Sequence, residues 1–483
     1  MLTFSTNSIR GRFDKMPMAT VTLSLIAGIV ISHNFAVSNW VWIALIALSI
    51  GLSLWRNRVI LLAVLGLGAL LYNTRSYDTL PISERAVMTI KIADNGVDYG
   101  RYSTFSADIL HYNTRSCRAR IKVTADSLTT LRRGDIIVAQ GFIRPFTPQQ
   151  SGYARSMARQ GYSGRFTVNQ NNILSWQINH HTTLHHRAVS KLKRLLPQSD
   201  GRDVAISLSL GAKMVNSGEI KQSYSYSGTS HLLAVSGLHV GMVALLFTML
   251  LLPLSLVWRG NIIRSGVVVA IIWIYVALCG YPISAIRAAI MFSVLQLSHL
   301  VRNRYSQQNS ICATAFIMLA IEPTILFELS FSLSFIAVMA IIFVGAPISR
   351  AIHIRNAALR EVAKGAIIST ACVVATAPLI SNSFGIISLL SIILTPIALI
   401  SAQIIIISSL LSLILPASLA VTTFSAAEWV ASLQNRAITW AVECGVGFVE
   451  LRISDGAMVA IYTIFALLLL LGFGISHKEK DIM

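Results

Sequence analysis

The sequence predicts a polytopic α-helical membrane protein of about twelve spans, N-in and C-in, carrying one inserted all-β, OB-like unit on the periplasmic side. Three observations predict it. The chain of 483 residues is 54% hydrophobic and only 12% charged, about half the charged fraction of a soluble domain. Its apolar residues fall into long runs separated by short basic loops. One stretch, 73–178, breaks this pattern with short alternating segments of β-branched and polar residues, the signature of half-buried strands.

The elements follow in order. Arg10, Arg12 and Lys15 precede the first apolar run and no small-residue cleavage signal follows, so a retained first helix is expected rather than a removed signal peptide. Helices are expected at 17–31, with Pro17 in a permitted first-turn position, at 40–55 and at 59–72. Together, residues 1–72 make a three-helix block. Arg56 and Arg58 lie between the second and third helices, and 33–39 carries no Lys or Arg. The excess of basic residues on cytoplasmic loops therefore puts the amino end inside and residue 73 onward outside.

Within 73–178, strands are expected at 87–92, 103–109, 118–124, 135–139 and 164–168, enough for a small barrel. Basic residues outnumber acidic ones here, and Tyr99, Tyr102, Phe105, Tyr112, Phe142, Phe146 and Tyr153 are interleaved with them. Single-stranded nucleic acid is bound by that combination, cations tracking phosphates and aromatic faces stacking bases. Arg118, Arg120, Lys122, Arg132, Arg133 and Arg144 are the candidates. The plain alternative is a solvated outer face over an ordinary aromatic core. Residues 179–226 read as an amphipathic linker with short helices. Lys191, Lys193 and Arg194 there suit anionic lipid headgroups. His180, His181, His185 and His186 cluster without a carboxylate or Cys to complete a metal site. The five cysteines form no C-x-x-C, so neither a disulfide framework nor zinc is expected.

Residues 227–483 form the second membrane block. Spans are expected at 230–257, 262–278, 283–301, 311–321, 325–345, 366–380, 384–400, 404–415 and 458–475, with basic loops at 259–264, 302–304 and 350–364 falling inside. Polar residues within these runs mark a path or cavity, because ionisable groups at membrane depth face protein or water. His231 and His239 sit in the first run. Gly237 and Gly241 form the G-x-x-x-G spacing that lets another helix approach. Arg287 stands in I-S-A-I-R-A-A-I-M, either to meet a phosphate or to pair with Glu322 or Glu328. Ser330, Ser332 and Ser334 alternate in 328–335, and 377–385 reads as a helix break. No nucleophile elbow, metalloprotease helix, nucleotide loop or dinucleotide fingerprint appears. Hence no catalytic set and no cofactor is expected, and the chain is not expected to be an enzyme.

The stretch S-G-T-S-H-L-L-A-V-S-G-L-H-V-G at 227–241 resembles the signature of the ComEC competence family, whose members pass transforming DNA across the inner membrane. I-S-A-I-R-A-A-I-M at 283–291, F-S-L-S-F-I-A-V at 331–338 and A-P-L-I-S-N-S-F-G at 377–385 resemble further family blocks. L-T-P-I-A at 394–398 is a weaker match and lacks the expected preceding Asn. Many members carry a carboxyl-terminal metallo-β-lactamase-like domain, but no H-x-H-x-D-H occurs in this chain. The resemblance implies a non-cutting inner-membrane channel for single-stranded DNA captured by the OB-like unit. A periplasmic DNA receptor, a separate nuclease and a cytoplasmic motor are its implied partners. It further implies that His231, Ser236, His239 and Arg287 face the path, with Ser332 and Ser334 next. Two other readings stay open: a transporter of a smaller anion or envelope precursor, and a membrane enzyme using His231 and His239 with a metal.

Overall fold

The computed structural model describes residues 17–53, 59–76, 85–94, 96–98, 102–113, 115–126, 131, 133–146, 154, 157–158, 161–177, 183–212, 218–233, 235–300, 307–444 and 448–465. Three helices open the chain: α1 (Pro17–Asn34), α2 (Asn39–Ser53) and α3 (Ile60–Arg75). Helices α1 and α3 meet through glycines. A Cβ added at Gly28 would overlap the Leu65 carbonyl, and one at Gly68 the Leu25 carbonyl. Each helix thus lays its backbone on the other, as small residues permit. Replacing Gly28 by Ala is expected to force the pair apart at a cost of about 1–3 kcal/mol. The fall should appear in thermal unfolding of the detergent-purified chain. Gly51→Ala, with nothing within 4 Å of the new carbon, should leave that curve in place.

The polar region folds as eight strands: β1 (Ala86–Ile92), β2 (Val97–Asp98), β3 (Tyr102–Tyr112), β4 (Arg115–Asp126), β5 (Ile136–Gly141), β6 (Ile143–Pro145), β7 (Tyr162–Val168) and β8 (Ile173–Gln177). Alternation sorts them. On β4, Ala119, Ile121, Val123 and Ala125 are buried, while Arg118, Arg120 and Lys122 point the other way, as the two-residue period of a strand requires. The pairing path runs β6-β7-β4-β3-β1-β5-β8, with β2 on β3. Strands β4 and β7 run parallel; the other pairs are antiparallel. Only Phe142 separates β5, on β1, from β6, on β7. The chain itself therefore joins the path into a ring around Met88, Ile90, Ile121, Ile137 and Phe166.

After α4 (Leu184–Leu195), α5 (Asp200–Leu210) and α6 (Gly218–Tyr226) come α7 (Gly237–Leu250), α8 (Gly260–Leu278), α9 (Ile283–Leu300), α10 (Gln307–Ile321), α11 (Leu329–Ala351), α12 (Ala357–Phe384), β9 (Ile386–Ser388), α13 (Ser391–Ile414), α14 (Ala417–Glu443), β10 (Phe448–Glu450) and α15 (Asp455–Phe465). Five described helices, α1, α8, α11, α12 and α13, are long and apolar enough to cross a membrane, and six shorter ones are apolar. In α12 only 11% of the apolar window is buried. Apolar side chains that face outward fit lipid, not water. The chain is a membrane protein.

Two expectations change. The run 230–257 is not one helix: it is a 3-10 turn (Ser230–Leu232), then α7, then a second turn (Leu252–Leu256). The runs 384–400 and 404–415, expected as two crossings, form the single helix α13 after Gly385 stops α12 at φ 75°. Within the linker, α5 is one of the expected short helices, with ten of its eleven residues buried and Asp200 exposed. Ser199 caps it by accepting from the Arg202 N–H, and Gly211 ends it at φ 71°.

Candidate nucleic-acid interface and the helix break behind it

The β unit presents a row of cations. Lys122 on β4 lies opposite Arg165 on β7, and Arg165 lies opposite Arg144 on β6. Arg165 and Arg144 are exposed. Directly opposed side chains stand about 5 Å apart, and like charges in that position destabilise a sheet. Ser106 and Tyr162 hold Lys122 in the row: its Nζ donates to Ser106 Oγ at 2.8 Å and lies 4.7 Å from the centre of the Tyr162 ring. Burial pushes the Tyr162 phenol up, with the Ser106 hydrogen bond opposing, so the ring stays neutral beneath the ammonium. Arg165 was not among the sequence candidates. Only the parallel pairing of β7 with β4 brings it into line.

Other basic candidates serve a different contact. Arg118 Nη2 donates to Glu322 Oε2 at 2.9 Å, and Arg120 Nη1 to Glu328 Oε1 at 3.2 Å. Arg120 Nε also reaches Asp108 at 3.3 Å, and Arg133 Nη1 donates to the Gly280 carbonyl at 2.9 Å. These groups fasten the β unit to the α8–α9 and α10–α11 turns. Burial pushes the Glu328 carboxyl up; the charges of Arg120 and then Arg287 oppose that rise. Arg132, Tyr99 and Tyr153 lie outside the described residues.

The second membrane block contains two interruptions that touch. The chain between α6 and α7 leaves helical geometry from Ser227, whose hydroxyl meets Thr229 at 2.6 Å. Gly228 adopts φ 73°. A Cβ there would stand 2.8 Å from Ser388 Cβ and 2.9 Å from Ser391 Cβ, so this loop packs on the chain between α12 and α13. That second interruption is tied down by β9 pairing with β10. Ser381 Oγ donates to the Leu451 carbonyl, and Asn382 Nδ2 to Ile453 O at 2.9 Å and Asp455 Oδ1 at 2.8 Å. Irregular backbone at membrane depth is tolerated where it lines a cavity or is buried in protein, and paired helix interruptions are a mark of substrate sites.

Within the first interruption, Ser236 begins α7, and its backbone N–H donates to His239 Nδ1 at 2.9 Å. His239 thus takes the reciprocal part that Glu or Gln plays in a capping box. His231 is exposed, and its Nδ1 lies 3.2 Å from the Gly228 carbonyl. The two rings are close enough to interact electrostatically. Gly237 and Gly241 face α9, where added carbons would meet Ala288 at 3.4 Å and Phe292 at 3.0 Å. His239, two residues past Gly237 and therefore about 200° around the helix, lies on the opposite side. On α9, Arg287 donates to Ser330 Oγ at 3.3 Å and lies within electrostatic reach of Glu328. Ser332 and Ser334 are half-buried on α11. Among the described residues, no three His, Cys, Asp or Glu side chains gather as a metal site would need. His185 instead is buried, and its Nδ1 lies 2.8 Å from the Leu278 carbonyl.

Comparison with known proteins assigns the second block. Residues 208–474 match the family described as Competence protein. The chain is 31% identical over 153 residues to ComE operon protein 3 of Bacillus subtilis (strain 168). That alignment takes in 32% of this chain and 19% of the relative, so the chain covers about a fifth of that protein's length. No solved structure matches. The family match spans more than half of the chain and contains both interruptions, the two histidines and both glycines facing α9. The chain belongs to the competence protein family.

Proposed function

We propose that this protein takes up single-stranded transforming DNA across the bacterial inner membrane. The β unit captures the strand in the periplasm, and the helical block forms the path through which it passes. The observation that carries this reading is the row Lys122, Arg165 and Arg144 on three adjacent strands: cations set in line can follow the phosphates of a single strand. The ring β1-β3-β4-β7-β5/β6, with its one parallel pair, supports an OB-like reading of the unit. The proposed topology places the amino end in the cytoplasm. In its support, the turns at Gly280 and at 322–328, which alternate with the basic loops, are the ones that receive arginines from the β unit. On this reading the chain does not cut DNA. Strand removal, delivery by a periplasmic receptor and pulling from the cytoplasm belong to other proteins.

The test uses the full chain in lipid nanodiscs and a fluorescent oligothymidylate at several salt concentrations. Each single-strand phosphate contact contributes about 0.7 to the slope of log affinity against log salt. The double variant R144E/R165E is expected to lower that slope by about 1.4 and to weaken binding more than tenfold at low salt. An unchanged slope would remove the β face from the capture step. The second reading, transport of a smaller anion, draws on the helix interruptions alone. It predicts phosphate or nucleotide flux that R144E/R165E leaves unaltered.

A further inference from the structure

His239 is completely buried, yet its Nε2 has no hydrogen-bond partner among the described residues. The Ser236 N–H donates to Nδ1, and an N–H can donate only to a lone pair. The proton of the neutral ring is therefore on Nε2, where a donor is buried with nothing to receive it. Leaving such a donor unmatched costs about 1–3 kcal/mol. His231 has the opposite arrangement. The Gly228 carbonyl can only accept, so the His231 Nδ1 carries the proton and its Nε2 offers a lone pair. Ser388, which packs against Gly228, carries a buried hydroxyl that also has no partner among the described residues.

The orphan donor lies in the first turn of α7, a helix of 14 residues. The amino end of a helix carries about half a positive charge, and in membrane transporters interrupted helices aim such ends at anionic groups. A cation does not suit this place: His239 Nε2 presents a proton rather than a lone pair, and 227–239 contains no carboxylate.

We propose that the amino end of α7, with His239 Nε2–H as its specific donor, is a binding site for a phosphate oxygen. On the uptake reading above, that oxygen belongs to the DNA backbone. Neutral His239 binds the anion by direction rather than by full charge. A strand held so can move on, where a fixed cation would hold it more tightly.

The test uses the full chain, with ¹⁵N-labelled histidine, in phosphatidylcholine nanodiscs. His239 is assigned as the ring signal that disappears in His239→Gln. The probes are oligothymidylate, inorganic phosphate and nanodiscs doped with phosphatidylglycerol. The expected result is a ring protonated at Nε2 whose Nε2 signal moves with oligothymidylate. His239→Gln, which restores an N–H donor near Nε2, should keep affinity for short oligothymidylate within about threefold. His239→Asn, which cannot reach that position, should lose about tenfold. Movement with inorganic phosphate or the lipid, but not with oligothymidylate, keeps the site and overturns its link to DNA. Oligothymidylate binding with an unmoved Nε2 keeps the uptake reading and overturns the site. A proton found on Nδ1, or no response to any probe, also overturns it. The wild-type titration decides the matter even if His239→Asn fails to fold.

Discussion

Replacing Arg120 by Glu is expected to release the β unit from the helical block. Arg120 is only 20% exposed and its partner Glu328 11%, so their ion pair is largely out of water. Removing one member of such a pair strands the other charge at a cost of about 3–5 kcal/mol. Reversal is worse here, because Asp108 already lies 3.3 Å from the guanidinium and the substitution gathers three carboxylates. Glu328 would keep only the charge of Arg287 to oppose its burial. The check is amide hydrogen exchange of the full chain. Both β4 and 322–328 should exchange faster in R120E, and R120E/E328R should recover part of the protection. Wild-type protection of both segments in R120E would mean that the arginines are bystanders and that the β unit is held elsewhere.

Replacing Gly228 by Val is expected to abolish uptake while sparing capture. The left-handed conformation at φ 73° costs a residue with a Cβ about 1–2 kcal/mol, and crowding against Ser388 and Ser391 adds about 1–3 kcal/mol. The strain falls where the two interruptions touch, some distance in sequence from the cationic row. In a transformable bacterium whose own relative has been deleted, G228V should yield at least 100-fold fewer transformants than the unaltered chain, a barrier change of about 2.7 kcal/mol. Oligothymidylate affinity in nanodiscs should stay within about threefold of wild type. Ordinary transformation by G228V would mean that this contact is mere packing.

The sequence made some of this legible. Alternation placed β1, β3, β4, β5 and β7, because a sheet with one buried face writes its period into the chain. It missed β2, β6 and β8, short segments set by their neighbours rather than by any local pattern. Hydropathy fused 230–257 into one span since it weighs side chains and not dihedrals; Ser236 ahead of Gly237 was the available hint of a helix start. The Glu322 and Glu328 pairings could not be read, because their arginines lie about 200 residues away on a strand whose outward face reads simply as basic. A linear motif does not name the partners of its polar residues: Ser330, which receives the Arg287 guanidinium, and Ala288 and Phe292, which Gly237 and Gly241 face, lie on other helices. The motif at 227–241 stood out in the sequence because histidines, serines and glycines in an apolar run need a reason to be there.

The pairing of β9 with β10 bears on how the protein is made. Ile386–Ser388 emerge from the ribosome well before Phe448–Glu450, with α13 and α14 translated between them. At about 5–20 residues per second, the earlier strand waits several seconds for its mate. Ser381 and Asn382 wait too, since their acceptors are Leu451, Ile453 and Asp455. Completing this part of the bundle is thus a late event in biogenesis. A nascent chain stalled short of residue 448 would already hold the whole 227–241 motif in the bilayer, with its second interruption still unstitched.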